Sequence, residues 1–348
     1  MQTRLSPEFA GTPEGLEAEA ILRKCVHCGF CTATCPTYQL LGDELDGPRG
    51  RIYLMKQVLE GEKPTRKTQM HLDRCLTCRN CESTCPSGVQ YGHLLDIGRK
   101  IVDAKVPRPT PEKALRWALK EGLPSPLFAP AMKMGQAVRG LLPAALQAKV
   151  PAKQEAGAWP TRSHARKVLM LAGCVQPSMM PNINAATARV LDAAGIQTVI
   201  APKAGCCGAV KFHLNDQDGG RAEMRANIDA WWPMIASGEV EALVMNASGC
   251  GVTVREYGHF LKDEPAYAAK AQRIGELTRD LSELLPAIVA ALRQSRPERV
   301  PGPPAGDAGA GRHLAFHPPC SLQHGQQLRG AVEQHLAAFG FKVQVARS

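Results

Sequence analysis

At 348 residues the chain is longer than one hydrophobic core usually spans, so two or three domains are expected. Hydrophobic residues at 44% and charged residues at 21% exclude wholesale disorder. The formal charge of +10 comes with no recognition motif or aromatic-interleaved basic stripe, so no nucleic-acid partner is predicted, and an acidic partner or anionic lipid is the better match.

The opening stretch MQTRLSPEFAGTPEGLEAEA lacks the apolar core of a secretory signal, and no uninterrupted apolar run reaches the length of a bilayer. A cytoplasmic protein is expected, with peripheral attachment at the inner face of the cell membrane left open. Residues before Glu14 are expected to be loose, and EGLEAEAILRK reads as a short helix leading to Cys25. Next come CVHCGFCTATCP, the turn-rich GDELDGPRGR, and IYLMKQVLEG with helical apolar spacing. A second cysteine segment, CLTCRNCESTCPSGV, leads into the helical YGHLLDIGRKIVDA. Residues 14–105 thus read as a mainly helical ferredoxin-type domain.

Pro107, Pro109 and Pro111 punctuate its exit. EKALRWALKEG and MKMGQAVRGLLPAALQ are helix candidates, and 106–165 reads as a helical connector ending in a polar linker. From Lys167 the pattern becomes α/β: KVLMLAGC as a buried strand, NINAATARVLDAAG as a helix, IQTVIAP as a strand. The same order returns in RHLAFHPPC, LRGAVEQHLAAFG and FKVQVA, so the C-terminal region reads as a repeat. The first module is expected over 166–295. The second, over 311–348, reads as incomplete, because the chain ends before the counterpart of Cys206. GDAGAG between them reads as a flexible joint, since it lacks the glycine spacing of a dinucleotide loop. The fold class expected is α+β multidomain: a helical two-cluster domain followed by α/β cysteine-rich modules.

Thirteen cysteines carry the chemistry. Eight form two CxxCxxCxxxCP sets: Cys25, Cys28, Cys31 and Cys35 before Pro36, then Cys75, Cys78, Cys81 and Cys85 before Pro86. An odd total in this spacing favours reduced thiols and metal ligation over disulfides. In such paired sets the fourth cysteine serves the other cluster. One [4Fe-4S] cluster is therefore expected on Cys25, Cys28, Cys31 and Cys85, and another on Cys75, Cys78, Cys81 and Cys35. Zinc explains sulfur-rich sites but not two crossed signatures. Bound clusters would also lower the formal charge by about four. Pro36 and Pro86 are expected to turn the chain away after the fourth ligand, and Gly29 and Gly88 to allow close turns. His27 is expected to be an ordinary loop or surface histidine, and Arg49, Arg51, Arg74 and Arg79 to form a solvated basic face.

The remaining cysteines, Cys174, Cys206, Cys207, Cys250 and Cys320, mark an additional metal or iron-sulfur site, with buried structural thiols as the alternative. Adjacent Cys206 and Cys207 are poor disulfide partners but can serve one extended metal site. A hydrolase built from Cys207 or Cys250 with His213, His259 or His317 has no nucleophile-base spacing to support it, and no catalytic residue is assigned.

Through CVHCGFCTATCP, CLTCRNCESTCP, LAGCVQP, KAGCCGAV, NASGCG, HPPCSLQHG and EPAYAAKAQRIGELTRDLSELL, the chain resembles the iron-sulfur subunits of glycolate oxidase, also called glycolate dehydrogenase. The wider family is related to a subunit of anaerobic glycerol-3-phosphate dehydrogenase and to the cysteine-rich subunits of heterodisulfide reductase. The resemblance covers nearly the whole chain. It implies a non-flavin electron-transfer subunit of a multisubunit enzyme. FAD-containing glycolate oxidase subunits would be its partners, and a quinone or membrane-linked acceptor would receive the electrons. Substrate oxidation by the isolated chain is not expected. The family pattern of a cysteine, CCG and then CxxC is only partly met, because Gly251, Val252 and Thr253 follow Cys250. The alternatives are an equivalent relay for lactate or glycerol-3-phosphate oxidation, or a cluster-containing structural adaptor.

Overall fold

Thr12 opens the first helix, accepting the Gly15 backbone N–H on its Oγ1 with Pro13 at the first helical position. The structure, a computed structural model, describes residues 1–302 and 312–346. The expected glycine-rich joint GDAGAG lies outside the described residues. Two compact units result. Met1–Leu115 with Phe212–Asp216 and Cys320–Gln327 form the first, and the remainder forms the second. Together they make a mixed α+β multidomain protein, with a helical N-terminal domain and a sheet-and-helix cysteine-rich region.

The first unit contains α1 (Pro13–Lys24), α2 (Phe30–Ala33), α3 (Pro36–Leu41), α4 (Pro48–Leu59), α5 (Arg66–Asp73), α6 (Asn80–Thr84) and α7 (Tyr91–Lys105). Helices α1, α4 and α7 build its core. Ile21 and Leu22 meet Ile52, Met55 and Leu59 and then Leu94, Leu95 and Val102, each set spaced to share a helix face. Gly98 lets α4 and α7 approach, because a Cβ there would collide with the Met55 side chain. Short helices α2 and α6 each carry the third cysteine of their set and stop just before the fourth.

The opening residues are ordered by the fold, contrary to the loose segment expected. The Met1 ammonium donates to the Cys25 carbonyl at 2.7 Å and the Leu22 carbonyl at 3.1 Å, satisfying groups left open at the end of α1. Ser6 N–H donates to the Leu59 carbonyl, and Phe9 joins the core.

Helix α8 (Thr110–Gly122) runs from the first unit into the second, followed by α9 (Phe128–Ala137) and α10 (Ala144–Gln147). The cysteine-rich part continues with β1 (Arg166–Met170), α11 (Gln176–Met179), α12 (Pro181–Ala193), β2 (Ile196–Val199), α13 (Ala209–His213) and α14 (Gln217–Ala236). Then come β3 (Ala242–Met245), α15 (Ser248–Arg255), α16 (Tyr257–Phe260), α17 (Ala268–Leu277), β4 (Thr278–Asp280) and α18 (Leu281–Ser295). The sheet order is β2-β1-β3-β4, parallel throughout, with Leu169 beside Val199 and Leu243. The α18 start is fixed by a capping box between Asp280 and Glu283.

A second parallel pair, β5 (Arg312–Phe316) and β6 (Phe341–Val345), is joined through α19 (Ala331–Ala338). It repeats β1-α12-β2, and in both copies a cysteine follows the first strand by four residues, Cys174 after Met170 and Cys320 after Phe316. No helix among the described residues is long and apolar enough to cross a membrane.

Candidate metal centres

Two cavities in the first unit gather the eight N-terminal cysteines. One is lined by Cys25, Cys28 and Cys31 of the first set and by Cys85 of the second. The other is lined by Cys75, Cys78 and Cys81 together with Cys35. Cys81 also reaches the wall of the first cavity. The fourth cysteine of each set therefore stands among the first three of the other.

The thiols are spaced around these cavities rather than gathered on a point. Among the described residues, the groups of three or more candidate ligand atoms lying within 4.8 Å of one another contain no cysteine.

The two loops share a backbone. His27 and Gly29 in the first set, and Thr77 and Arg79 in the second, all adopt positive φ, at 57°, 87°, 52° and 60°. Such a backbone turns successive N–H groups inward and forms a concavity for anions. His27 N–H donates to the Cys25 sulfur, and Thr77 N–H donates to the Cys75 sulfur at 3.5 Å. Gly29 and Gly88 both have positive φ, as expected, and Pro36 starts α3 immediately after Cys35. Burial pushes the Cys25, Cys31, Cys78 and Cys81 thiols up, Cys81 farthest, so metal binding must displace protons.

The expected solvated basic face is replaced by ion pairing. Arg51 is fully buried, donating to the His71 carbonyl at 2.7 Å and to Thr37 Oγ1 at 3.1 Å, and it sits 3.4 Å from Asp46 Oδ1. Arg74 takes the other Asp46 oxygen at 2.8 Å. Asp43, Asp46 and His71 are close enough to hold a cation, but the two guanidiniums already neutralise Asp46. Arg49 pairs with Glu44, and Arg79 with Glu82. His27 is half-buried, stacked edge-on against Tyr53, and burial followed by the Arg49 charge pushes its imidazole below the ordinary range.

In the second unit, Cys174 follows β1, Cys206 and Cys207 follow β2, and Cys250 follows β3. All four stand beyond the carboxyl ends of parallel strands. The chain order reverses between β1 and β3, the place where open α/β sheets bind ligands. Their side chains adjoin one another in a string, Cys174 beside Cys206, Cys206 beside Cys207 and Cys207 beside Cys250. Those contacts, with the Gly208 N–H and Glu223, hold the Cys206 thiol low, while its neighbours Cys174 and Cys207 are pushed up.

The loop bearing the adjacent pair is tightly fixed. Asn227 accepts the Gly205 N–H at 2.8 Å and donates to the Cys206 carbonyl at 2.6 Å, while the buried Tyr257 hydroxyl donates to the Cys207 carbonyl at 2.9 Å. Gly208 has φ 90°, and a Cβ there would lie 2.7 Å from the Gly220 carbonyl oxygen. Asn184 donates to the Ala172 carbonyl and accepts from Asn246, tying the loops after β1 and β3 together.

Cys320 lies in the first unit, and its charge is among those acting on Cys78. Its segment is seated beside α6, with Ser83 Oγ 2.9 Å from His324 Nδ1. Glu223, Asn227 and Tyr257 were not legible as site residues in the sequence. Each is a single residue in helical context, brought to the thiols only by packing.

Comparison with known proteins matches residues 21–89 to a 4Fe-4S dicluster domain and residues 168–255 to a cysteine-rich domain. The chain is 56% identical over 346 residues to the glycolate oxidase iron-sulfur subunit of Escherichia coli strain K12, covering 98% of this chain and 81% of that protein. It belongs to the glycolate oxidase iron-sulfur subunit family. A probable glycolate oxidase iron-sulfur subunit of Bacillus subtilis strain 168 is 33% identical over 297 residues, covering 77% of this chain and 66% of that protein. Lactate utilization protein A of Bacillus pumilus is 28% identical over 120 residues, covering 34% of this chain and 48% of its own. No solved structure matches. Within this family, the chain carries a ferredoxin-type iron-sulfur motif and a cysteine-rich domain.

Proposed function

We propose that the chain is the electron-transfer subunit of a glycolate oxidase complex, relaying electrons from a partner's FAD toward a quinone or membrane-linked acceptor. The observation that carries this reading is the crossed placement of the eight N-terminal cysteines around two cavities. The likeness to the Escherichia coli subunit over 98% of this chain favours glycolate over lactate, since the lactate-utilization relative covers only 34% of it.

Two [4Fe-4S] clusters held by those thiols would supply single-electron carriers, the form in which a reduced flavin can be drained stepwise. The protein supplies the rest. Cys25, Cys28, Cys31 and Cys85 would hold one cluster, and Cys75, Cys78, Cys81 and Cys35 the other. The His27 and Thr77 N–H groups donate to ligand sulfurs and so stabilise their negative charge. Tyr91 lines both cavities and is buried between them, keeping water from that wall. Cys174, Cys206, Cys207 and Cys250 would hold a further metal centre, because four reduced thiols at a sheet switch point form a ready donor set. Peripheral attachment at the inner face of the membrane, through a partner, fits delivery to a membrane-linked acceptor.

The test is anaerobic purification of the full chain, iron and acid-labile sulfide analysis, and electron paramagnetic resonance before and after mixing with the flavin subunits and glycolate. Eight irons in the N-terminal sites and cluster reduction on adding glycolate are expected. Four irons or fewer after reconstitution would end the two-cluster reading. Full clusters that stay oxidised while the partner's flavin is reduced would show an adaptor.

A further inference from the structure

Helix α14 brings a carboxyl group against the thiol string. Glu223 stands beside the Cys206 sulfur, its Oε1 lies 3.4 Å from Lys211 Nζ, and its Oε2 is buried with no hydrogen-bond partner. Lys211 also pairs with Glu121 at 3.5 Å, so the ammonium is held between two carboxylates.

The packing leaves this carboxyl little freedom. Gly208 sits against the Gly220 carbonyl and the Met224 side chain, pressing the loop that carries Cys206 and Cys207 onto the turn of α14 that bears Glu223. An ordinary surface ion pair would leave both oxygens to water. Here Lys211 accounts for one oxygen, and the second is shut away from solvent without a partner.

We propose that Glu223 is an oxygen ligand of the metal centre held by Cys174, Cys206, Cys207 and Cys250, giving that centre a mixed thiolate and carboxylate donor set. This rests on the reading that those thiols bind metal. A carboxylate among thiolates makes the site harder than an all-sulfur one and suits iron better than a soft, purely thiophilic ion. Lys211 is a positioning residue that holds the carboxylate toward the thiols.

The full chain, loaded with iron under anaerobic conditions, provides the test. Metal in excess of the eight irons of two cubanes, with an additional paramagnetic signal, establishes the centre itself. A wild-type chain with no such metal defeats the underlying reading, and Glu223 with it. With the centre present, protein grown on carboxyl-13C glutamate should show a 13C hyperfine coupling at the additional signal. Glu223→Asp should remove that coupling, because the introduced aspartate is unlabelled, while keeping a signal with shifted g-values. Glu223→Ala should lose the additional signal and its metal, leaving the N-terminal irons in place. A loaded wild-type centre without 13C coupling overturns the proposal, as does a Glu223→Ala chain that keeps the wild-type g-values. The labelled wild-type measurement stands even if a variant fails to fold.

Discussion

At Arg79 the backbone takes the left-handed conformation that a glycine takes at the matching position, Gly29. The equivalence shows that the loop, not the side chain, is what both cysteine sets preserve. Replacing Gly29 by Ala should cost about 1 kcal/mol, mostly from the positive φ, because its Cβ would meet only the movable Arg49 guanidinium. Chemical denaturation of the metal-loaded chain measures this. Arg51 is a harder constraint. Arg51→Met should destabilise by about 3 kcal/mol, because it leaves Asp46 buried with a reduced set of partners. The sequence placed Arg51 on a wet basic face, since nothing local distinguishes an arginine bound for the interior. The crossed placement of the eight N-terminal cysteines was legible because their spacing is itself the geometry. Glu223, one acid in RAEMRAN, had no such signature.

Elements were legible where a regular period met a clear stop. The helix before Cys25, the helices at α4 and α7, and the strand-helix-strand order around α12 and α19 all follow apolar spacing that the fold uses. Helix α14 is not legible because Gly219, Gly220 and Pro233 interrupt its pattern, and β4 because three residues are too few to alternate. The start of α8 shows what a pattern cannot show. Arg108 joins Asp73 at the end of α5, Asp103 on α7 and Glu112 in the first turn of α8, and Arg66 also takes Glu112. Burial acts to raise the Glu112 carboxyl, but the hydrogen bonds from Arg66 and Arg108 outweigh it and hold the group low. Its contribution to stability is therefore complete above the unfolded value of about 4.3 and is lost as pH falls through the lower folded one. Glu112→Gln should flatten the acid limb of a stability-versus-pH curve below about pH 4, and an unchanged limb would assign that loss elsewhere.

Across the whole molecule, two kinds of scaffold present thiols in two ways. Helix ends and tight loops do so in the first unit, and the carboxyl ends of parallel strands do so in the second. The metal content of the two should respond separately to mutation. Cys206→Ser should leave the N-terminal iron unchanged. Cys85→Ser should weaken the centre at Cys25, Cys28 and Cys31 more than the one nearest its own set, and site-resolved resonance would read the difference. Equal loss at both centres would contradict the crossed ligand sets.

Metal held by those crossed sets would also act as a covalent-like bridge. Cys25 and Cys85 stand sixty residues apart in the chain yet face one cavity. Tying them through metal closes a loop whose freedom in the unfolded chain would otherwise oppose folding, by about 4 kcal/mol if such a bridge behaves as a disulfide does. Cys35 and Cys75 close another. Stripping the metal would then do more than interrupt electron flow. It would cut two staples in the N-terminal domain at once, so oxidative loss of iron and loss of the fold would arrive together.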